Sequence, residues 1–92
     1  MRLDLFLKTS RLILRRSLAQ KFCDNNLVKV NGLTAKSSKE IKAGDEIEIK
    51  RKNLLQTVKV LEVPAKKQVS KQQAENLYET ISEETLEDDL FG

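Results

Sequence analysis

The chain has 92 residues, 39% apolar and 34% charged, with a net charge of +3. That length suits one small unit with little core to spare, and it leaves no room for a catalytic domain beside a binding domain. A single cysteine cannot form an internal disulfide, the lack of histidine removes most zinc sites and every histidine-based triad, and no apolar run approaches the roughly 18 residues that span a bilayer.

The first predicted element is a short helix over Arg2–Lys8, where Leu3, Phe6 and Leu7 share one face and Asp4, Lys8 and Arg11 another, with Asp4 spaced to pair with Lys8. A second helix is expected from Ser17, with Ser17 and Gln20 as a capping box, the stripe Leu18, Ala19, Phe22 and Cys23, and a stop at Asp24-Asn25-Asn26. Val28 and Val30 then alternate with Lys29 ahead of Asn31-Gly32, the strongest hairpin signal in the chain, and Leu33–Ala35 returns. A loop, Lys36–Lys42, leads to the turn Gly44-Asp45 and a half-buried strand bearing Ile47 and Ile49. A longer strand is predicted over Gln56–Val63, ended by Pro64, with a change of phase at Leu61 and Val63 that suggests a bulge.

Residues 65–92 read as a linker, a short amphipathic helix and an acidic tail. Ser70 and Gln73 fit a capping box, Ala74, Leu77, Tyr78 and Ile81 fit one helical face, and the run Glu83–Asp89 has the composition of a disordered segment. The fold class is therefore α+β: two or three helices packed on a small twisted, mainly antiparallel sheet over residues 1–64. Its predicted core is Leu3, Phe6, Leu7, Leu12, Leu18, Phe22, Val28, Val30, Ile47, Ile49, Val58 and Val60.

Charge is distributed unevenly along this order. Residues 1–73 hold all seventeen Lys and Arg and seven of the fourteen Asp and Glu, while residues 74–92 hold the other seven acids and no base. A body of +10 is thus followed by a tail of −7, a pattern that points to a polyanion-binding body. Arg2, Lys8, Arg11, Arg15, Arg16 and Lys21 cluster around the two predicted helices, and Lys36, Lys39 and Lys42 sit in one loop. Arginine suits phosphate because its planar fork grips two oxygens at once. Each cation alone also fits a solvated helix flank; four arginines within sixteen residues fit that less well.

Other chemistries find little support. Cys23 lies in an apolar stripe, where a thiol serves as a small hydrophobe. The glycines mark turns and the terminus rather than a phosphate loop, and no cofactor, metal or small-molecule substrate is expected. None of Phe6, Phe22, Tyr78 and Phe91 falls in a predicted strand, so base stacking on a sheet is not expected and recognition would run through phosphates, sugar hydroxyls and shape. Met1–Lys8 lacks the long apolar stretch and cleavage site of a signal peptide, so a cytoplasmic location is expected.

Arg2-Leu3-Asp4 with Phe6-Leu7, then Arg11, Arg15-Arg16-Ser17 with Ala19, Val28-x-Val30-Asn31-Gly32, Lys36 and Gly44-Asp45-x-Ile47, together resemble the ribosomal protein S4 type of RNA-binding domain, over Met1 to Lys50. Many members have glycine where Asn26 stands, a position asparagine tolerates in the left-handed conformation. Small size and a short tail make the chain similar to the heat shock protein 15 group, above all to its compact members in bacterial ribosome-associated quality control. The resemblance implies a non-catalytic factor on large ribosomal subunits that still carry peptidyl-tRNA. Large-subunit rRNA and an RqcH-type tailing factor, which adds untemplated C-terminal alanine, are the other implied partners. Carried over, the RNA-binding residues are Arg2, Arg11, Arg15 and Arg16, with Lys36; charge and periodicity add Lys8. The alternatives are a heat-shock ribosome-recycling factor of the same family and an adaptor working through its acidic tail, which could also fold back over the basic face.

Overall fold

In the computed structural model, which describes residues 1–86, three helices accompany one five-stranded antiparallel sheet. The elements are α1 (Leu3–Thr9), α2 (Arg16–Asp24), β1 (Val28–Val30), β2 (Leu33–Thr34), β3 (Glu46–Lys50), β4 (Leu54–Val60), α3 (Lys71–Glu75) and β5 (Tyr78–Thr85), and the strand order is β2-β1-β3-β4-β5. This is the α+β class that the sequence predicts.

Leu3, Phe6 and Leu7 of α1 are fully buried and form one core with Ala19 and Cys23 of α2 and with Val28, Val30, Ile47, Ile49, Val58 and Val60 of the sheet. Leu12 and Ile13, between the helices, close one side of it. Leu18 does not belong: it is 43% exposed, because the buried side of α2 is set by Ala19 and Cys23. Phe22 is only partly buried against the core.

No side chain caps α1, yet its first amides are satisfied. Leu3 N–H donates to the Lys39 carbonyl at 2.7 Å, Asp4 N–H to the Ser37 carbonyl at 3.1 Å, and Leu5 N–H to the Asp4 carboxylate at 2.7 Å. The loop after β2 therefore serves as the cap. Helix α1 ends at Thr9, and just past its cap residue Ser10 the chain turns away at Arg11, which takes φ 63°, a left-handed conformation more usual for glycine. Helix α2 ends as its asparagines predict: Asn26 has φ 61°, its N–H reaches the Cys23 carbonyl at 3.0 Å, and Leu27 N–H reaches that of Phe22 at 2.9 Å. Its start is different from the expected capping box. The helix begins at Arg16, Arg15 at the N-cap position makes no capping bond with its side chain, and Gln20 bonds elsewhere.

Asn31 and Gly32 both have positive φ, 51° and 85°, which matches a two-residue turn to the twist of β1 and β2. Asn31 also locks this turn to the start of β3. Its side-chain oxygen accepts from Glu46 N–H at 3.0 Å and its amide donates to Asp45 at 3.1 Å, while Asp45 accepts from Lys42 N–H at 3.0 Å. Asp45 is buried. Asp45→Ala strands these donors and is expected to cost about 1–3 kcal/mol in urea unfolding.

The largest departures from the sequence reading lie beyond residue 55. Strand β4 starts at Leu54 and ends at Val60, so Leu61 and Val63 are outside it; the irregularity in this strand falls instead at Thr57/Val58, where the pairing with β5 shifts register. The Ser70–Gln73 capping box is present, but the helix it opens stops at Glu75. Tyr78 and Ile81, assigned to that helix by spacing, belong to β5, which pairs with β4 from Val60↔Tyr78 to Leu54↔Thr85. Glu83 and Glu84, read as part of a disordered run, are strand residues opposite Gln56 and Leu55, and the rest of that run, 87–89, lies outside the described residues. Tyr78 also places one aromatic at the start of a strand, half-buried against the core rather than displayed on an open face.

Candidate RNA interface

Asp4 organises the side chains at the start of α1. Its carboxylate is fully buried at the start of α1, yet it receives four donors besides the structure around it: Leu5 N–H at 2.7 Å, Gln20 Nε2 at 2.8 Å, Arg16 Nε at 3.2 Å, and the Arg2 fork, with Nε at 3.3 Å and Nη2 at 3.4 Å. Burial raises the carboxyl's pKa. The hydrogen bonds from Gln20, Arg16 and the Leu5 amide, with the Arg16 charge, outweigh it and hold the group below its ordinary value, so Asp4 stays ionised. Asp4 does not pair with Lys8: the carboxylate turns inward toward α2, away from the spacing partner on its own helix.

The two arginines remain available. Their side chains are 47% and 42% exposed, and each bonds Asp4 through the Nε side of its guanidinium. Both terminal nitrogens of Arg16, and one of Arg2, have no hydrogen-bond partner among the described residues. An arginine fixed along one edge loses less freedom when its other nitrogens meet phosphate.

Lys36 reaches the same place by backbone stitching. Ile41 N–H donates to the Met1 carbonyl at 2.8 Å, the backbones of Arg2 and Glu40 form an isolated antiparallel β-bridge, and the carbonyls of Ser37 and Lys39 cap α1. The loop is pulled across the helix start, and Arg2, Asp24, Asn26, Lys36, Ser37 and Ser38 line one depression. Cys23 lies at its floor. Burial, with the charges of Asp4 and Asp24, pushes its thiol up to about 11, which fits the packing role expected of it and not a reactive one.

The six predicted site residues do not form a single patch. Arg2, Arg16 and Lys36 gather around Asp4 and the depression beside it. Arg15 is exposed at the residue before α2. Lys8 and Arg11 line a different groove, together with Thr9, Leu14, Lys67, Gln68 and Val69. Lys67 has no signal in the sequence beyond its charge, because a linker gives no periodicity that would dock it on α1. Gln20, which supplies the shortest side-chain bond to Asp4, reads from spacing as a cap residue. Among the described residues no group of three or more metal-ligating side chains comes together, and no helix is long and apolar enough to cross a membrane.

Comparison with known proteins adds to this geometry. The family model of the S4 domain matches residues 1–47. The chain is 46% identical over 90 residues to the RQC P-site tRNA stabilizing factor of Streptococcus pneumoniae, covering 98% of this chain and 100% of that one. It is 44% identical over 86 residues to the factor of the same name from Bacillus subtilis, covering 94% and 98%. Among solved structures, the trimeric heat shock protein 15 of Vibrio cholerae gives a TM-score of 0.78 at 27% identity, over 87% of this chain and 80% of that one. The solution structure of a hypothetical protein, HP1423, gives 0.78 at 36% identity, over 91% and 100%.

Proposed function

Since the chain belongs to the RQC P-site tRNA stabilizing factors (the RqcP family), S4 domain proteins related to heat shock protein 15, we propose that it stabilises peptidyl-tRNA in the P site of obstructed large ribosomal subunits. The family is one of non-catalytic RNA-binding factors, so the work is done by holding RNA in place. In this reading the arginines around Asp4 grip phosphates of tRNA and of large-subunit rRNA, Lys36 adds charge beside them, and Arg15, Lys8 and Arg11 complete the interface. The held tRNA then supports untemplated alanine tailing of the stalled nascent chain by an RqcH-type partner, in the cytoplasm.

The observation that carries the reading is the ionised, buried Asp4 that fixes Arg2 and Arg16 while leaving both more than two-fifths exposed. Held along one edge and solvated along the other, each guanidinium keeps hydrogen-bonding capacity that Asp4 does not use, which is what a phosphate contact requires. Arg2→Ala with Arg16→Ala is expected to weaken association with large subunits carrying peptidyl-tRNA by about tenfold per arginine, as lost charge-assisted hydrogen bonds would. The log–log salt slope is expected to flatten by roughly 1.4–1.8 for two phosphate contacts. Because this pair also bonds Asp4, Arg15→Ala with Lys36→Ala, which removes no ion pair among the described residues, is measured alongside it. Unchanged sedimentation with subunits for both folded double variants would refute the reading.

A further inference from the structure

The groove that holds Lys8 and Arg11 leads out of the S4 domain. It is lined by Lys8, Thr9, Arg11, Leu14, Lys67, Gln68 and Val69. A neighbouring depression is lined by Ser10, Arg11, Leu14, Lys71, Ala74, Glu75 and Tyr78. Arg11 and Leu14 are common to both, so the two run together as one surface. Lys67 and Lys71 lie beyond residue 47, where the S4 match ends.

The cations here are placed, not trailing on a loose linker. Thr9, itself buried, donates its hydroxyl to the Lys67 carbonyl at 2.8 Å and pins that segment to α1. Lys71 opens α3, whose start is closed by the Ser70–Gln73 capping box. Arg11 is exposed at the left-handed position just past the cap of α1. None of the ion pairs among the described residues uses Lys8, Arg11, Lys67 or Lys71. Against these four cations the lining holds one carboxylate, Glu75.

Leu14 supplies the second observation. It lines both depressions and is 74% exposed, although its neighbours Leu12 and Ile13 are buried. Folding gains nothing from a leucine in that position, and covering it with a sugar or base face would remove apolar surface from water. The buried hydroxyls in its lining, Thr9 and Ser10, donate to the Lys67 and Leu7 carbonyls, so what the groove offers an anion is its cations. Two adjoining depressions with four cations and an exposed leucine suit a polyanion with apolar surface between its charges, which describes an RNA strand.

We propose that Lys67, Lys71 and Leu14, with Lys8 and Arg11, carry the RNA interface beyond the S4 domain and grip a second stretch of sugar–phosphate backbone. This rests on the RNA-binding reading above, and the experiment separates the two. The full chain and its variants are bound to large ribosomal subunits carrying peptidyl-tRNA across a series of salt concentrations. Lys67→Ala with Lys71→Ala is expected to weaken binding at least several-fold and to flatten the log–log salt slope by roughly 1.4–1.8. The fold should survive, since the Lys67 contact to Thr9 is made by the backbone. Leu14→Ala is expected to weaken binding by a few-fold with the slope unchanged, because no ionic contact is lost. A lysine double variant with wild-type affinity and slope overturns the groove proposal, provided that Arg2→Ala with Arg16→Ala loses binding in the same series. If both double variants bind like wild type, the RNA reading fails and the groove falls with it. If the lysine variant is rescued by Lys67→Arg with Lys71→Arg, charge is the operative property, as proposed; failure of that rescue in a folded protein overturns the backbone contact.

Discussion

Asp4→Asn is expected to be among the most damaging single substitutions in the chain, in stability and in RNA binding together. The wild-type carboxylate accepts from a backbone amide, a glutamine and two arginines while fully buried. Asparagine keeps the shape and one acceptor oxygen but turns its amide N–H toward donors. Breaking a buried ion pair costs about 3–5 kcal/mol when the surviving charge is also buried. Arg2 and Arg16 are solvated along much of their length, so the loss is discounted to about 2–3 kcal/mol. That is a large share of the roughly 5–15 kcal/mol available to a small domain.

The same group gives a pH signature. Its folded pKa is below the ordinary carboxylate value, so its contribution is full above the unfolded value of about 3.9 and is lost as pH falls through the lower folded value. Wild type should therefore lose stability on acidification below about pH 4 by a component that Asp4→Asn lacks, and urea midpoints of the two proteins should converge at low pH. Identical midpoints at pH 7 would refute the role of Asp4. A variant that unfolds more easily yet binds RNA as wild type at low temperature would separate its structural part from its positioning of Arg2 and Arg16.

How much of this was legible in the sequence depended on whether the signal was local. Asn31-Gly32, Asn26 and the Ile47/Ile49 alternation encode backbone conformation or burial within a few residues, and each appears where the pattern places it. The Ser70–Gln73 box is local too, and it formed. Asp4 and Gln20 were misassigned because each has a plausible neighbour, Lys8 and Ser17, while their actual bond spans sixteen residues. Spacing rules describe an isolated helix and cannot see a second helix packed beside it. Arg11 at positive φ carries no signal at all, since arginine gives no preference for that region. The basic face was readable as a cluster. Its division into a set held by Asp4 and a groove completed by Lys67 and Lys71 required the chain's return to α1.

Leu77→Ala is the second large effect, and it tests why the sequence misled beyond Pro64. Ala74, Leu77, Tyr78 and Ile81 fit a helical face, but only Ala74 is helical; Leu77 is buried between α3 and β5, and its carbonyl accepts from Leu61 N–H at 2.8 Å and Glu62 N–H at 3.3 Å. One residue thus ties the end of β4 to the start of β5. Strand β5 itself shows no alternation to read, because every residue after Tyr78 is exposed. It is held by its ladder to β4 and by the Leu77 anchor rather than by a buried face. Removing three buried carbons at that anchor is expected to cost about 2–4 kcal/mol from lost transfer energy and the cavity left behind. A strand with so little apolar burial of its own should then exchange its amides faster than β3 does. Hydrogen exchange on Leu77→Ala is expected to show the largest loss of protection across β5 and the facing half of β4, with β1 and β3 less affected. Unchanged protection in β5 would mean that the strand is sustained by pairing alone and that Leu77 is not its anchor.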